Sequence, residues 1–400
     1  MADGINSLMR EFGIDKSPIR EVMETTMSLK QQGYTDFWDF SIGNPEVPTP
    51  PEINESIREI LDIYNSVDLH GYTPNDGWEA TRRAIADDLN DRFDANADAS
   101  DLILTAGAAG ALTSSIAALT TPGEEVIVLT PYFPEYRLYI QAWSCRCVPV
   151  PTIAGTFQID VDAVRDAIGP RTRMVIVNTP NNPTGAIYSE ASLRALGDML
   201  RAEGKRLDKT IYLLSDEPYR EIVYDGAKNP WVCGCYENTI MCYSYSKSLS
   251  LAGERVGYVY VPKAVHRHDE VLEALHGAQR AVNTITGSLI QRVIERCVKA
   301  RVPIEEYAAR REIIYNGLTE IGYDVVKPEG AFYLWLRALE PDDAAFAERA
   351  TKERIYMVYS GDFGCPGYER LSYSSVSRER LAESLSAFQN LWDSYGGYTW

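Results

Sequence analysis

The run Arg173-Met-Val-Ile-Val-Asn178, continued at once by Thr-Pro-Asn-Asn-Pro-Thr-Gly185, decides how this chain is built. Its centre is apolar without alternation, as in a strand covered on both faces, and its end is polar and turn-forming. Four further segments share that form: Glu125-Val-Ile-Val-Leu-Thr130, Ile211-Tyr-Leu-Leu-Ser-Asp216, Thr239-Ile-Met-Cys-Tyr-Ser244 and Gly257-Tyr-Val-Tyr-Val261. Helical patterns lie between several of them. Over 189–203, Leu193, Leu196 and Leu200 fall at helical spacing behind a capping serine, Ser189. Strand alternating with helix predicts an α/β fold, a mostly parallel sheet with helices on both faces.

Beyond about residue 280 the pattern changes. Residues 304–321 read as one long helix, Ala331-Phe-Tyr-Leu-Trp-Leu336 as a strand and 343–352 as a helix, which together form a second, smaller α+β domain. A helix over 17–32, opened by Ser17-Pro18, precedes the first domain and is expected to pack on the second. The expected division is 1–47 as an N-terminal segment of the small domain, 48–300 as the large domain, and 301–400 as the C-terminal part of the small domain.

Composition narrows the function. The chain has 400 residues, 45% of them hydrophobic, enough for a large core. Asp and Glu number 57 against 39 Lys and Arg, giving a net charge of -18. Such a field repels nucleic-acid backbones and anionic membranes, so neither is expected as a partner. The first residues carry no apolar signal run and no window reaches membrane-spanning length, so a cytoplasmic protein is expected. Seven cysteines include Cys145-Arg-Cys147 and Cys233-Gly-Cys235, without a second pair at zinc spacing, and His266 and His268 lack an H-E-x-x-H frame. No metal is assigned.

In open parallel sheets ligands sit beyond the carboxyl ends of the strands. There the chain places Asn178 and the Asn-Asn-Pro-Thr-Gly turn, Asp216 before Glu-Pro-Tyr219, Ser244 before Lys247, and Thr130 before Pro-Tyr-Phe133. Upstream, Thr105-Ala-Gly-Ala-Ala-Gly-Ala-Leu112 runs small residues into a helix start, where backbone N–H groups can meet an anion. With Ser244, Ser246 and Arg255, this loop can be read as half of a phosphate site. Taken singly, Asp216-Glu-Pro is an ordinary strand-ending turn, Arg370 and Arg280 are ordinary ion-pairing arginines, and Phe133 and Tyr72 are core or interface aromatics. Together they fit an aromatic aldehyde held as an imine by lysine, with a carboxylate at its ring nitrogen.

On these residues the chain resembles the fold-type I pyridoxal-phosphate enzymes, specifically class I aminotransferases of the aspartate aminotransferase group. The markers are Tyr72-Thr-Pro-Asn-Asp-Gly77, Gly107-Ala108-Ala109, Asn182-Pro-Thr-Gly185, Asp216-Glu-Pro-Tyr219, Ser244-Tyr-Ser-Lys247 with Arg255, and Arg370-Leu-Ser372. Their order and spacing carry the resemblance, which spans nearly the whole chain. It implies a seven-stranded, mostly parallel sheet in a large domain that binds pyridoxal 5'-phosphate, and a small domain built from both termini. It also implies a homodimer with active sites at the interface.

The resemblance further implies roles. Lys247 would form an internal aldimine and then serve as the base at Cα, and Asp216 would keep the ring nitrogen protonated. Asn182 and Tyr219 would hydrogen-bond the ring oxygen, and Phe133 would stack on the ring. Gly107, Ala108, Ala109, Ser244, Ser246, Arg255 and the neighbouring subunit's copy of Tyr72 would hold the cofactor's phosphate end. Arg370 would grip the substrate α-carboxylate through a bidentate fork beside Gly43 and Asn182. Arg280 stands near the place of a second, intersubunit arginine in dicarboxylate-specific relatives, although Gln279-Arg-Ala-Val-Asn-Thr-Ile-Thr-Gly287 departs from their Ser-Asn-Pro text. The implied activity is ping-pong exchange of an amino group between an L-amino acid, aspartate or glutamate in first place, and a 2-oxo acid such as 2-oxoglutarate. The alternatives are β-elimination or decarboxylation on the same cofactor, or a non-catalytic cofactor-binding regulator.

Overall fold

The computed structural model describes residues 4–14, 17–282 and 284–396; the outermost residues of the expected terminal segments, 1–3 and 397–400, lie outside them. Seven strands form the main sheet: β1 (Leu102–Thr105), β2 (Glu125–Thr130), β3 (Arg146–Pro151), β4 (Thr172–Asn178), β5 (Tyr212–Asp216), β6 (Thr239–Ser244) and β7 (Gly257–Tyr260). Their spatial order is β1-β7-β6-β5-β4-β2-β3. β7 runs antiparallel to both its neighbours and the other pairings are parallel. The chain is thus a mixed α/β protein with a seven-stranded, mostly parallel sheet.

The two faces of each strand explain the continuous apolar runs. Val126, Val128, Met174, Ile176 and Leu214 pack with Ala111, Leu112 and Ile116 of helix α1 (Gly107–Leu119) and with Leu275 of a helix over His268–Val282. Ile127, Leu129, Val175, Val177 and Leu213 pack instead with Leu193, Leu196 and Leu200 of α2 (Glu190–Leu207), which Ser189 caps by accepting from the Ser192 N–H. Burying each such side chain stabilises the fold by about 1.5–3 kcal/mol before the cost of ordering the chain.

Two strands escaped the sequence pattern. β1 has only four residues, and β3 carries Pro149 and Pro151, which its position at the sheet edge tolerates. A third difference is one of bounds. The predicted strand over 331–336 begins at Tyr333, because Ala331 adopts a left-handed backbone with φ 58°.

The second sheet contains β8 (Val325–Val326), β9 (Tyr333–Arg337), β10 (Val358–Tyr359) and β11 (Tyr368–Ser372), antiparallel in the order β10-β11-β9-β8. Register sets Trp335 opposite Arg370. Helices α3 (Ile304–Ile321) and α4 (Arg378–Ser394) cover this sheet, and Phe40 and Val47 from the N-terminal region enter the same core as Leu334, Leu371 and Phe388. The helix Pro18–Gln31 lies against β10, with Ile19 packed on the cluster of Trp335, Val358 and Phe363. Among the described residues no helix is long and apolar enough to cross a membrane.

Candidate active site

The carboxyl ends of β4, β5 and β6, the loop after β2 and the start of α1 surround a cavity of about 340 Å³. Its wall includes Gly43, Ala108, Ala109, Phe133, Asn182, Asp216, Tyr219, Ser244, Ser246, Lys247, Arg255 and Arg370. These residues lie far apart along the chain, and strand order alone brings them together.

One corner suits an anion. Gly107, with φ 71°, turns the chain from β1 into α1, and a Cβ there would meet Arg255 Nη2 at 3.0 Å and Ser244 Oγ at 3.4 Å. Only glycine leaves that approach open. The first N–H groups of α1 have no partners within the helix. Ser244 Oγ lies 2.7 Å from Ser246 Oγ and also accepts from the Ser246 N–H at 3.1 Å. Arg255 donates to the carbonyls of Ala252 at 2.8 Å and Ala106 at 3.3 Å, and forms no ion pair with a carboxylate among the described residues.

Another part of the wall suits a cationic N–H. Asp216 is buried and accepts at Oδ2 from the Tyr136 hydroxyl at 2.5 Å and the Asn178 amide at 3.5 Å. Its Oδ1 is buried with no hydrogen-bond partner among the described residues. Burial pushes the carboxyl up to about 7; the Tyr136 bond works against that rise and Glu217 adds to it. An unpartnered carboxylate oxygen is costly unless something in the cavity donates to it.

Lys247 and Arg370 line the same cavity. Lys247 Nζ donates to the Gly43 carbonyl at 2.6 Å and lies 5.5 Å from the centre of the Phe332 ring. Burial, with Arg255 and Arg370 nearby, lowers its amine to about 8. Arg370, on β11, donates from Nη2 to the Ser41 carbonyl at 2.6 Å and from Nη1 to Asn182 Oδ1 at 3.3 Å. Its Nε has no partner and no carboxylate faces it among the described residues, although only 2% of the residue is exposed. Asn182 is held in turn, its N–H donating to Asn178 Oδ1 at 2.7 Å. Three unpaired cations thus converge on one cavity in an acidic chain.

Two predicted residues stand apart from this wall. Tyr72 is fully exposed and Arg280 is exposed near the end of its helix. The structure also adds Tyr136, Tyr139, Tyr333, Ile19 and Ile42, to which the sequence assigns no role, and brings Asn178 onto the same wall. Tyr136 had a positional signal, since it stands three residues after Phe133 in the first turn of the helix Glu135–Gln141, and the two rings meet edge-on with centroids 5.8 Å apart. Tyr333 had one as well, since it alternates with Trp335 on the strand beside Arg370.

Comparison with known proteins agrees with this geometry. The profile of the family described as aminotransferase class I and II matches residues 35–388. The chain is 31% identical over 373 residues to a probable aspartate/prephenate aminotransferase of Thermus aquaticus, covering 90% of this chain and 93% of the relative. A crystal structure of an aminotransferase from Eubacterium rectale superposes with TM-score 0.94 at 44% identity, covering 98% of this chain and 99% of that one. Aspartate aminotransferase of Thermus thermophilus, solved with maleate, superposes with TM-score 0.85 at 29% identity, over 97% of this chain and 99% of that one.

Proposed function

The chain belongs to the class I and II aminotransferases, and from that premise we propose that its cavity binds pyridoxal 5'-phosphate and transfers the amino group of aspartate or glutamate to a 2-oxo acid such as 2-oxoglutarate. Enzymes of this family depend on that cofactor and are generally dimeric. The observation that carries the reading is the pairing of an orphaned Asp216 oxygen with three unpaired cations across one cavity. A ring with a protonated nitrogen at one end and a phosphate at the other answers both.

In this reading Asp216 Oδ1 receives the ring N–H, while Ser244, Ser246, Arg255 and the Gly107-Ala108-Ala109 amides receive the phosphate. When bound, the cofactor supplies an electron sink that lets the Cα–H bond of an amino acid break heterolytically. Lys247, with its amine lowered to about 8, is uncharged often enough near neutral pH to act as nucleophile and to carry a proton to and from Cα. Arg370, buried without a carboxylate, draws in the substrate's α-carboxylate and so orients Cα, with Asn182 and the Gly43 backbone beside it. Tyr219, Asn182 and Phe133, which line the same cavity, would hold the ring, the first two as donors to its oxygen.

The proposal includes a two-domain division at residues 47 and 300, supported by the shared core of Phe40 and Val47 with the second sheet. It includes a homodimer in which each subunit lends Tyr72 and Arg280 to its neighbour's cavity. Exposed Leu61, Ile63, Val67 and Tyr72 mark a surface that a second copy would cover. A cytoplasmic location completes it.

A second reading of the substrate has its own support. Within one subunit the cavity wall also includes the apolar side chains of Ile19 and Ile42, which suits a large uncharged side chain. The test is the visible spectrum of pyridoxal-phosphate-loaded protein and of Lys247→Ala. Bleaching of a Lys247-dependent band by aspartate or glutamate, and its return with 2-oxoglutarate, supports the first reading. Bleaching by phenylalanine or leucine alone supports the second. Absence of any such band defeats both.

A further inference from the structure

Tyr333 stands in the cavity wall where two sheets meet. It lies on β9, paired with the strand that carries Arg370, whereas Tyr219 follows β5 of the main sheet. The two hydroxyls are 2.8 Å apart, and among the described residues neither has another hydrogen-bond partner. The rings meet edge-on with centroids 5.7 Å apart. On its other side the Tyr333 hydroxyl presses on Gly43, where a Cβ would fall 2.0 Å from the oxygen. The Arg370 guanidinium lies 4.7 Å over the Tyr333 ring.

A hydrogen bond between two phenols holds one proton, so its direction has consequences. Were Tyr219 the donor, its only proton would be spent on Tyr333 and none would remain for an acceptor in the cavity. With Tyr333 as donor, Tyr219 keeps its O–H for the cavity, and the proton arriving at its oxygen makes it a stronger donor. The arginine over the Tyr333 ring favours this direction, because a cation there stabilises the electron density left on a donating phenol.

We propose that Tyr333 is a positioning residue for the amino-transfer reaction: it donates to Tyr219, fixes the Tyr219 proton toward the cavity, and ties that proton to the strand pair that holds Arg370. The proposal rests on the reading of the cavity as a pyridoxal-phosphate site. The charged and titratable groups facing the pair are Arg370 on β11, Asp216 at the end of β5, and Lys247 beyond β6, which is bonded to the Gly43 carbonyl.

The test is a pH titration of the visible band in cofactor-loaded wild type, Tyr333→Phe, Tyr219→Phe and the double variant. A donor to the ring oxygen favours the deprotonated chromophore, so weakening it moves the midpoint upward. Tyr333→Phe is expected to raise the chromophore's proton affinity about threefold to tenfold, the effect of losing one neutral hydrogen bond. Tyr219→Phe moves it further, and adding Tyr333→Phe to Tyr219→Phe changes nothing more, because Tyr333 acts through Tyr219. Gly43→Ala displaces the Tyr333 hydroxyl while keeping both phenols, and its midpoint moves the same way. An unshifted midpoint in Tyr333→Phe and Gly43→Ala overturns the proposal, as does an equal shift with and without Tyr219. A wild type with no band that Lys247→Ala abolishes overturns the cofactor reading itself, and this proposal with it.

Discussion

The Tyr136 hydroxyl donates to Oδ2 of Asp216, and the other oxygen of that carboxylate is buried with no donor among the described residues. The bond opposes the burial that raises this carboxyl to about 7. Tyr136→Phe therefore leaves Asp216 more readily protonated and less able to receive a ring N–H. Pyridoxal-phosphate affinity, followed by fluorescence titration, is expected to fall about tenfold or more near neutral pH, the scale of a hydrogen bond to a charged group. The loss shrinks as the pH rises and the carboxylate returns. A pH-independent loss would assign Tyr136 to packing alone.

Without cofactor, the same carboxyl binds its proton far more tightly folded than unfolded. The folded state then holds the extra proton between the ordinary carboxyl range and about 7, so stability falls as the pH climbs through that window. Asp216→Asn is spared this loss. Melting temperatures of the two cofactor-free proteins, compared from about pH 5 to about pH 8, are expected to separate progressively in favour of the variant. Parallel curves would mean that Asp216 titrates normally.

Lys247 offers a direct reading of its own protonation. With an amine lowered to about 8, its reductive methylation by formaldehyde should climb with pH and level off above that value, while surface lysines go on climbing toward their ordinary, higher range. Peptide mass spectrometry of cofactor-free protein gives both curves. A Lys247 curve that tracks the surface residues would remove its claim to be the base.

Arg370→Lys keeps the charge but loses the fork. The expected result is a rise in KM for every amino and oxo acid of about tenfold or more, with a fall in kcat from poorer alignment of Cα. Steady-state kinetics on two donors of different side chain decide the matter. An effect confined to one donor would shift Arg370 from α-carboxylate to side-chain recognition.

The exposed Tyr72 and Arg280 can be tested by mixing subunits. If they serve the neighbour's cavity, a hybrid of Lys247→Ala with the double variant Tyr72→Phe, Arg280→Ala contains one complete site. Reassembly of the two impaired proteins should restore about a quarter of wild-type activity, the share expected from random pairing in a two-fold dimer. No recovery, with dimers shown by sedimentation, would place both residues outside the chemistry.

Legibility followed physics. The strands bearing Asn178, Asp216 and Ser244 could be read because each is buried on both faces and ends in a polar turn. The edge strand β3 could not, since its prolines and half-exposed face look like a loop. Lys247, Arg255 and Arg370 stood out by residue type and order. Tyr136 and Tyr333 carry only a positional signal, because a tyrosine in a sequence does not show whether its hydroxyl meets a carboxylate, another phenol or water, and the folded structure assigns that partner.

The strand order has a consequence for synthesis. β1, made early, pairs only with β7, made more than halfway through the chain, and Arg370 arrives later still. A ribosome-bound chain therefore carries an unzipped sheet edge until β7 emerges, which exposes it to aggregation and invites chaperone protection. Between the emergence of Arg255 and that of Arg370, the nascent chain holds its own phosphate-corner side chains but no carboxylate fork.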